Sequence, residues 1–312
     1  MKIFETSMRY PRALGIACAI GAVLLGIVFM AIAGAPMRYL GINVSALGIG
    51  LSMLALLGRI VCAGPRWTGS AIIAMAGALL ATALLGSEVE GAARWVNLGG
   101  LAIQPSLILL PVMLVAFARN RSFLATSGIV AAAAAMALQP DRAMAGMLVM
   151  CLATLTVIRF DRHVAVALAA SIAGLATTLV QGDTLPAVPY PAVPYVDQIL
   201  YSSFEVHAGS GLAVWSGVAL LLVPAIVGWT RDADNRATYV AFGAVWFAAI
   251  MAAALGNYPT PIVGYGGSAI IGYALSLLAL PTLSGVKAAV TSRMDSATDG
   301  SPPDRHLLVA LA

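Results

Sequence analysis

The chain has 312 residues, of which 61% are apolar or aromatic and only 10% are Asp, Glu, Lys or Arg, and its mean hydropathy is +0.94. A water-soluble domain carries about 25% charged residues, so this chain has too few to cover a hydrated surface, and its recurrent apolar runs exclude a disordered chain, a coiled coil and a disulfide scaffold. The net charge of +4 reads as membrane orientation rather than as a nucleic-acid footprint, because Lys and Arg collect in the cytoplasmic loops of polytopic proteins.

A helix crosses the hydrocarbon core in about 20 residues. The N-terminal sequence imitates a signal peptide, with basic residues ahead of an apolar run. That run, Leu14 to Ala33, is too long for a cleaved segment and lacks a clear cleavage site, so it predicts a first span with the N-terminus inside. Ten spans are predicted in all, at 14–34, 45–64, 68–86, 106–118, 123–138, 143–158, 163–181, 211–229, 238–256 and 266–286. The fourth to sixth are short, which implies tilting, a break or extension into the loops. The expected architecture is all-α and polytopic, with about ten transmembrane helices and both termini cytoplasmic. Residues 1–290 form one membrane domain with a large extracytoplasmic loop at about 182–210, and the Ser-, Asp- and Pro-rich residues 291–312 form a disordered cytoplasmic tail.

In this orientation the inner segments hold Lys2, Arg9, Arg12, Arg66, Arg119, Arg121, Arg159, Arg162, Arg231, Arg236, Lys287, Arg293 and Arg305, which is 13 of the 17 basic residues. Arg38, Arg94 and Arg142 fall outside, and Arg59 lies near the inner end of its span, where it can snorkel. The outer loops instead hold six acids, Glu88, Glu90, Asp141, Asp183, Asp197 and Glu205, which directs attention to the outer face. Cys18, Cys62 and Cys151 have no metal-ligand spacing and read as small packing residues.

Four outer stretches interrupt the apolar pattern: GAARWVNLGGLAIQPS (Gly91 to Ser106), LQPDRA (Leu138 to Ala143), VDQILYSSFEVHAGSG (from Val196) and PTPIVGYGGSAI (Pro259 to Ile270). Before the third, a PAVPY repeat at Pro186 to Tyr190 and Pro191 to Tyr195 forbids a regular helix, which becomes possible beyond Tyr195. On residue type alone, Asp197 is a solvated loop acid. Glu205, eight residues on, would share its face if the segment were helical, and His207 has no second ligand. Arg94 suits phosphate oxygens and Trp95 the headgroup level. Gln104, Pro105 and Ser106 can cap the fourth span, Ser106 being a good N-cap. Asp141 pairs most simply with Arg142 or Arg94. Tyr265, Gly266, Gly267 and Ser268 open the last span, the glycines permitting close helix packing or approach of backbone N–H groups to a ligand.

Together these blocks resemble the SEDS family of FtsW- and RodA-type peptidoglycan glycosyltransferases. The resemblance rests on Gly91, Ala92, Arg94, Trp95, Leu98, Gly99, Gln104, Pro105 and Ser106; on Gln139, Pro140 and Asp141; on Asp197 and Glu205; and on Pro261, Tyr265, Gly266, Gly267 and Ser268. The sequence departs from the family pattern at Leu107 and Leu110, where the family carries Glu and Lys, at Arg142, and in a shortened connection from Gly256 to Pro261. The resemblance implies polymerisation of lipid II at the outer face of the bacterial cytoplasmic membrane. Asp197 would be the catalytic base, and Arg94, Trp95, Gln104, Ser106, Asp141, Glu205, Tyr265, Gly266, Gly267 and Ser268 would bind substrate. It also implies a class B penicillin-binding protein as partner and allows a divalent cation, Mg2+ or Mn2+. A lipid-linked substrate flippase and a catalytically silent scaffold are the alternatives, the second favoured by the lost charges at Leu107 and Leu110.

Overall fold

The computed structural model describes residues 11–61, 68–89, 92–99, 101–182, 192–256 and 258–281. The chain is a bundle of apolar helices: α1 (Pro11–Ile32), α2 (Met37–Val61), α3 (Thr68–Leu85), α4 (Pro105–Arg119), α5 (Phe123–Leu138), α6 (Arg142–Ile158), α7 (Arg162–Gly182), α8 (Ile199–Val206), α9 (Ala208–Leu220), α10 (Val223–Arg231), α11 (Arg236–Leu255) and α12 (Gly267–Ser276), the last extended by a 3-10 turn at Leu277–Ala279. Six segments among the described residues are long and apolar enough to cross a membrane: α1, α2, α3, α7, α11 and the joined α9–α10. The protein is a multi-pass membrane protein. The shorter apolar helices α4, α5, α6 and α12 lie at the other four predicted positions.

The outer helices have two faces with different environments, whereas α12 has no exposed residue. On α1, Ile20, Leu24, Val28 and Ile32 repeat every four residues and are exposed, while Cys18, Ala22, Phe29 and Met30 are buried, as expected where lipid covers one stripe and neighbouring helices the other. The centre of the bundle is aromatic. Trp246, Tyr239, Phe242 and Tyr273 are fully buried, and the Trp246 indole donates to Ser276 Oγ at 3.3 Å. Pro224 breaks the eighth span, because it has no N–H for the turn before it. There Leu221 and Leu222 bond back to Val218 and Ala219 at 3.2 and 3.1 Å, and the Tyr273 hydroxyl donates to the Leu221 carbonyl at 3.3 Å.

Three boundaries differ from the sequence reading. The second span starts at Met37 rather than at 45, because Arg38, Tyr39 and Asn43, read as loop residues, lie on the helix and Asn43 is buried with partners. Within the expected loop at 182–210, residues 183–191 lie outside the described residues, while α8 and the start of α9 make much of the remainder helical. An antiparallel meander of β1 (Ser87–Val89), β2 (Ala92–Leu98) and β3 (Leu101–Ile103) precedes α4. Ser87 faces Trp95 and Leu98 faces Leu101 in its register, with Gly99 turning at φ +60°, a conformation that favours glycine. The end of the last predicted span beyond 281, and the 291–312 tail, lie outside the described residues.

At the end of the bundle away from the meander, arginines have structural partners. Arg12 donates to the Leu278 and Leu280 carbonyls and Arg119 to Ala279 O at 3.0 Å, capping the last turn with positive charge. Arg121 pairs with Asp161 at 2.9 Å, and Asp161 caps α7 by accepting from His163 and Val164. Arg59 is exposed in the last turn of α2.

Candidate functional site

Pro259, Pro261, Gly264 and Gly266 prevent a regular helix between α11 and α12, yet this connection is buried: Thr260, Ile262 and Val263 are at most 3% exposed. Irregular backbone inside a membrane bundle requires partners for its polar groups. Asn43 supplies two, donating from Nδ2 to Gly264 O at 2.8 Å and accepting from Gly266 N at 3.2 Å. The chain around Asp197 supplies two more, since Thr260 N donates to Val196 O at 2.9 Å and Tyr265 N to Tyr195 O at 2.7 Å. Tyr39 stacks on Tyr265 with centroids 4.0 Å apart and meets Tyr195 edge-on at 6.2 Å. Replacing Asn43 by Leu leaves the buried Gly264 carbonyl unmatched, at about 1–3 kcal/mol, and the part-buried Gly266 N–H without this acceptor. Asn43→Leu is expected to lower thermal stability in detergent, with Asn43→Gln retaining more of it.

The segment before α8 is bent tightly. Asp197 is half-buried, its Oδ2 accepts from Val193 N at 3.0 Å, and its own N–H donates to Val193 O at 3.0 Å. Tyr195 and Gln198 have φ of +64° and +55°, and across the contact Ile262 has +69°. Such conformations are costly for side-chain-bearing residues and persist only where surrounding contacts hold them. The turn also corrects the expected pairing of Asp197 with Glu205. Because α8 begins at Ile199 after the left-handed Gln198, no helical register runs through both. Glu205 is exposed on α8, and His207 caps α9, its Nδ1 accepting from Gly209 N at 3.0 Å. Among the described residues no group of three or more His, Cys, Asp and Glu side chains could hold a metal.

A polar cluster lies at the same end. Gln104, 1% exposed, is the N-cap residue of α4, Asp141 of α6 and Gly266 of α12. Gln104 N donates to Ser268 Oγ at 3.0 Å. Gln104 Nε2 lies 3.1 Å from Asp141 Oδ2, 3.3 Å from Ser106 Oγ and 2.6 Å from Tyr258 OH. Asp141 is fully buried, and its Oδ1 accepts from Met144 N at 3.2 Å. Burial pushes its carboxyl above the usual carboxylate range, against the opposing pull of the Arg94 charge and of its hydrogen bonds. Burial likewise raises the Tyr258 phenol, with the Asp141 charge adding to it. The charge of the half-buried Arg94 on β2 opposes the effect of burial at both groups, while Arg142 is exposed and reaches toward Leu179 O at 3.5 Å.

Arg94, Gln104, Ser106, Asp141 and Ser268 therefore converge, and the Tyr258–Ser268 connection links them to Asp197, Tyr265 and Gly266. Trp95 is half-buried on β2 beside Arg94 in sequence. Gly267 is a packing glycine, where a Cβ would meet that of Ala46 at 3.1 Å. Ser106 does not cap the fourth span: Pro105 occupies the first helical position, where its missing N–H costs nothing, and Gln104 takes the cap position without a side-chain cap bond. Asn43 and Tyr258 escaped the sequence reading. Asn43 had a signal, being a polar residue within an apolar run, whereas Tyr258 had none beyond its place in the shortened connection.

No protein-family model and no curated protein matches the chain. Among solved structures, it is similar to the rod shape determining protein RodA of Thermus thermophilus, with a TM-score of 0.59 at 19% identity, covering 86% of this chain and 94% of that one. It is also similar to a chain from a structure described as the structural coordination of polymerization and crosslinking by a peptidoglycan synthase complex, with a TM-score of 0.57 at 22% identity, covering 85% and 94%. The chain has the RodA fold.

Proposed function

We propose that this protein is a SEDS-type glycosyltransferase of the bacterial cytoplasmic membrane that polymerises lipid II at its outer face. The observation that carries this reading is that one buried connection, Tyr258–Ser268, holds the Asp197 turn beside a cluster built at the N-termini of α4, α6 and α12. The RodA fold and the matching motif residues support it.

Extension of a glycan strand needs a base for a sugar hydroxyl and stabilisation for a leaving diphosphate. In this reading Asp197 takes the proton as the hydroxyl oxygen attacks the anomeric carbon. The glycosidic C–O bond forms while the bond to the diphosphate oxygen breaks, and undecaprenyl diphosphate departs. Helix N-termini carry partial positive charge and N–H groups, and Arg94 adds a full charge, so both favour the leaving diphosphate. Gln104, Ser106, Tyr265, Gly266 and Ser268 would line the substrate site, with Gly267 packing α12 against Ala46. Asp141, buried at the N-cap position of α6, orders the cluster, and Trp95 sits against the lipid headgroup. A class B penicillin-binding protein would crosslink the strands, a pairing supported by the likeness to the peptidoglycan synthase complex.

Undecaprenyl diphosphate separates this reading from a silent scaffold. It is expected to raise the unfolding temperature of the detergent-solubilised protein by several degrees, an effect that undecaprenol lacks and that Arg94→Ala reduces. Equal shifts from both lipids would contradict a diphosphate site.

A further inference from the structure

Tyr258 stands where the two halves of the site meet. Its ring is 6% exposed, and its hydroxyl accepts from Gln104 Nε2 at 2.6 Å. An amide nitrogen has two hydrogens, yet three oxygens lie within bonding distance of Gln104 Nε2. The two shorter contacts, to Tyr258 and to Asp141, use both hydrogens and fix the amide plane. Two residues beyond Tyr258, the Thr260 N–H donates to Val196 O, the carbonyl immediately before Asp197. Five residues further, Tyr265 N donates to Tyr195 O.

An unbroken path therefore runs from Asp141 through Gln104 and Tyr258 to the backbone that presents Asp197. It passes beside three residues, Tyr195, Gln198 and Ile262, held at positive φ. A turn in such a conformation relaxes when its contacts are removed, so the point at which the connection is tethered matters for where Asp197 sits.

We propose that Tyr258 is a positioning residue that ties the Asp197 turn to the Gln104–Asp141 cluster through its hydroxyl. The kinetic part of this inference rests on the glycosyltransferase reading, and the structural part does not. A base displaced by a fraction of an ångström slows the chemical step far more than it weakens binding.

The test is Tyr258→Phe, which keeps the ring and removes the hydroxyl, examined by amide hydrogen exchange and by polymerisation kinetics at matched unfolding temperature. Exchange of the Thr260 and Tyr265 amides and of the 193–198 turn should accelerate about tenfold. In the kinetics kcat should fall about tenfold with KM within about twofold. Gln104→Met should give the same exchange pattern, and the double variant should be no worse than the worse single one. Faster exchange confined to residues next to 258, with the 193–198 turn unchanged, would overturn the proposal, as would additive effects of the two substitutions. A wild-type protein that makes no polymer would instead contradict the glycosyltransferase reading and leave the exchange result to decide the role of Tyr258.

Discussion

Asp197→Asn is expected to abolish glycan polymerisation and leave the fold intact. The amide keeps the size of the carboxylate and retains an oxygen to accept from Val193 N, the bond that closes the turn at 3.0 Å. Half-buried placement means no large desolvation change accompanies the substitution. What disappears is the ability to accept a proton from the attacking hydroxyl, and loss of a positioned general base costs roughly 10²–10⁴ in rate. Strand formation from lipid II, followed by gel separation of products beside thermal unfolding in the same detergent, checks this. Equal polymer from both proteins would remove Asp197 from the mechanism, whereas a variant that unfolds early would point to a structural role instead.

The second large effect is structural. A Cβ at Gly26 on α1 would lie 2.4 Å from the carbonyl oxygen, 2.7 Å from Cα and 2.8 Å from the carbonyl carbon of Val263. These are backbone atoms of the connection, which has no flexible side-chain end to swing away. Val263 is also wedged from the other side, its Cγ1 lying 2.5 Å from where a Cβ of Gly217 would stand. Gly26→Ala must therefore displace the connection from α1 and with it the hydrogen bonds to Tyr195 and Val196. Overpacking of this kind costs about 1–3 kcal/mol, so the unfolding temperature should drop and polymerisation should fall with it. Gly48→Ala on α2, where a Cβ meets nothing within 4 Å, is the matched control and should be neutral or slightly stabilising, since alanine favours helix more than glycine does. Equal stability of the two variants would contradict the tight seating of Val263 against α1.

Most of the bundle was legible in the sequence because the bilayer imposes a length and a polarity on each span. Its helices follow from apolar runs ended by charge, Gly or Pro, as with the breaks after Arg119 and before Arg142. What escaped prediction was set by tertiary contacts. Asn43 looked like a loop residue because nothing local shows that it bonds the connection 221 residues away. The β-meander carried a Gly99–Gly100 hairpin signal, but the stretch was read only as an outer interruption of the apolar pattern. The eight-residue step from Asp197 to Glu205 failed because the turn residue Gln198 breaks the helical register, and an αL residue that is not glycine leaves little trace in sequence. The motif residues Gln104, Ser106, Asp141 and Ser268 were separately visible as polar interruptions, but their meeting depends on three helices ending at one depth. Leu107 and Leu110, which replace charges in the resembled pattern, lie 3% and 0% exposed in the core. Apolar packing accounts for their presence in α4.

The central claim is tested most directly by lipid II polymerisation with the purified wild-type protein in proteoliposomes, alone and with a class B penicillin-binding protein. The account predicts glycan strands from the wild type, with or without the partner's transpeptidase activity, and none from Asp197→Asn. A folded wild-type protein that binds the penicillin-binding protein and yields no strands under either condition would contradict it and favour the silent scaffold.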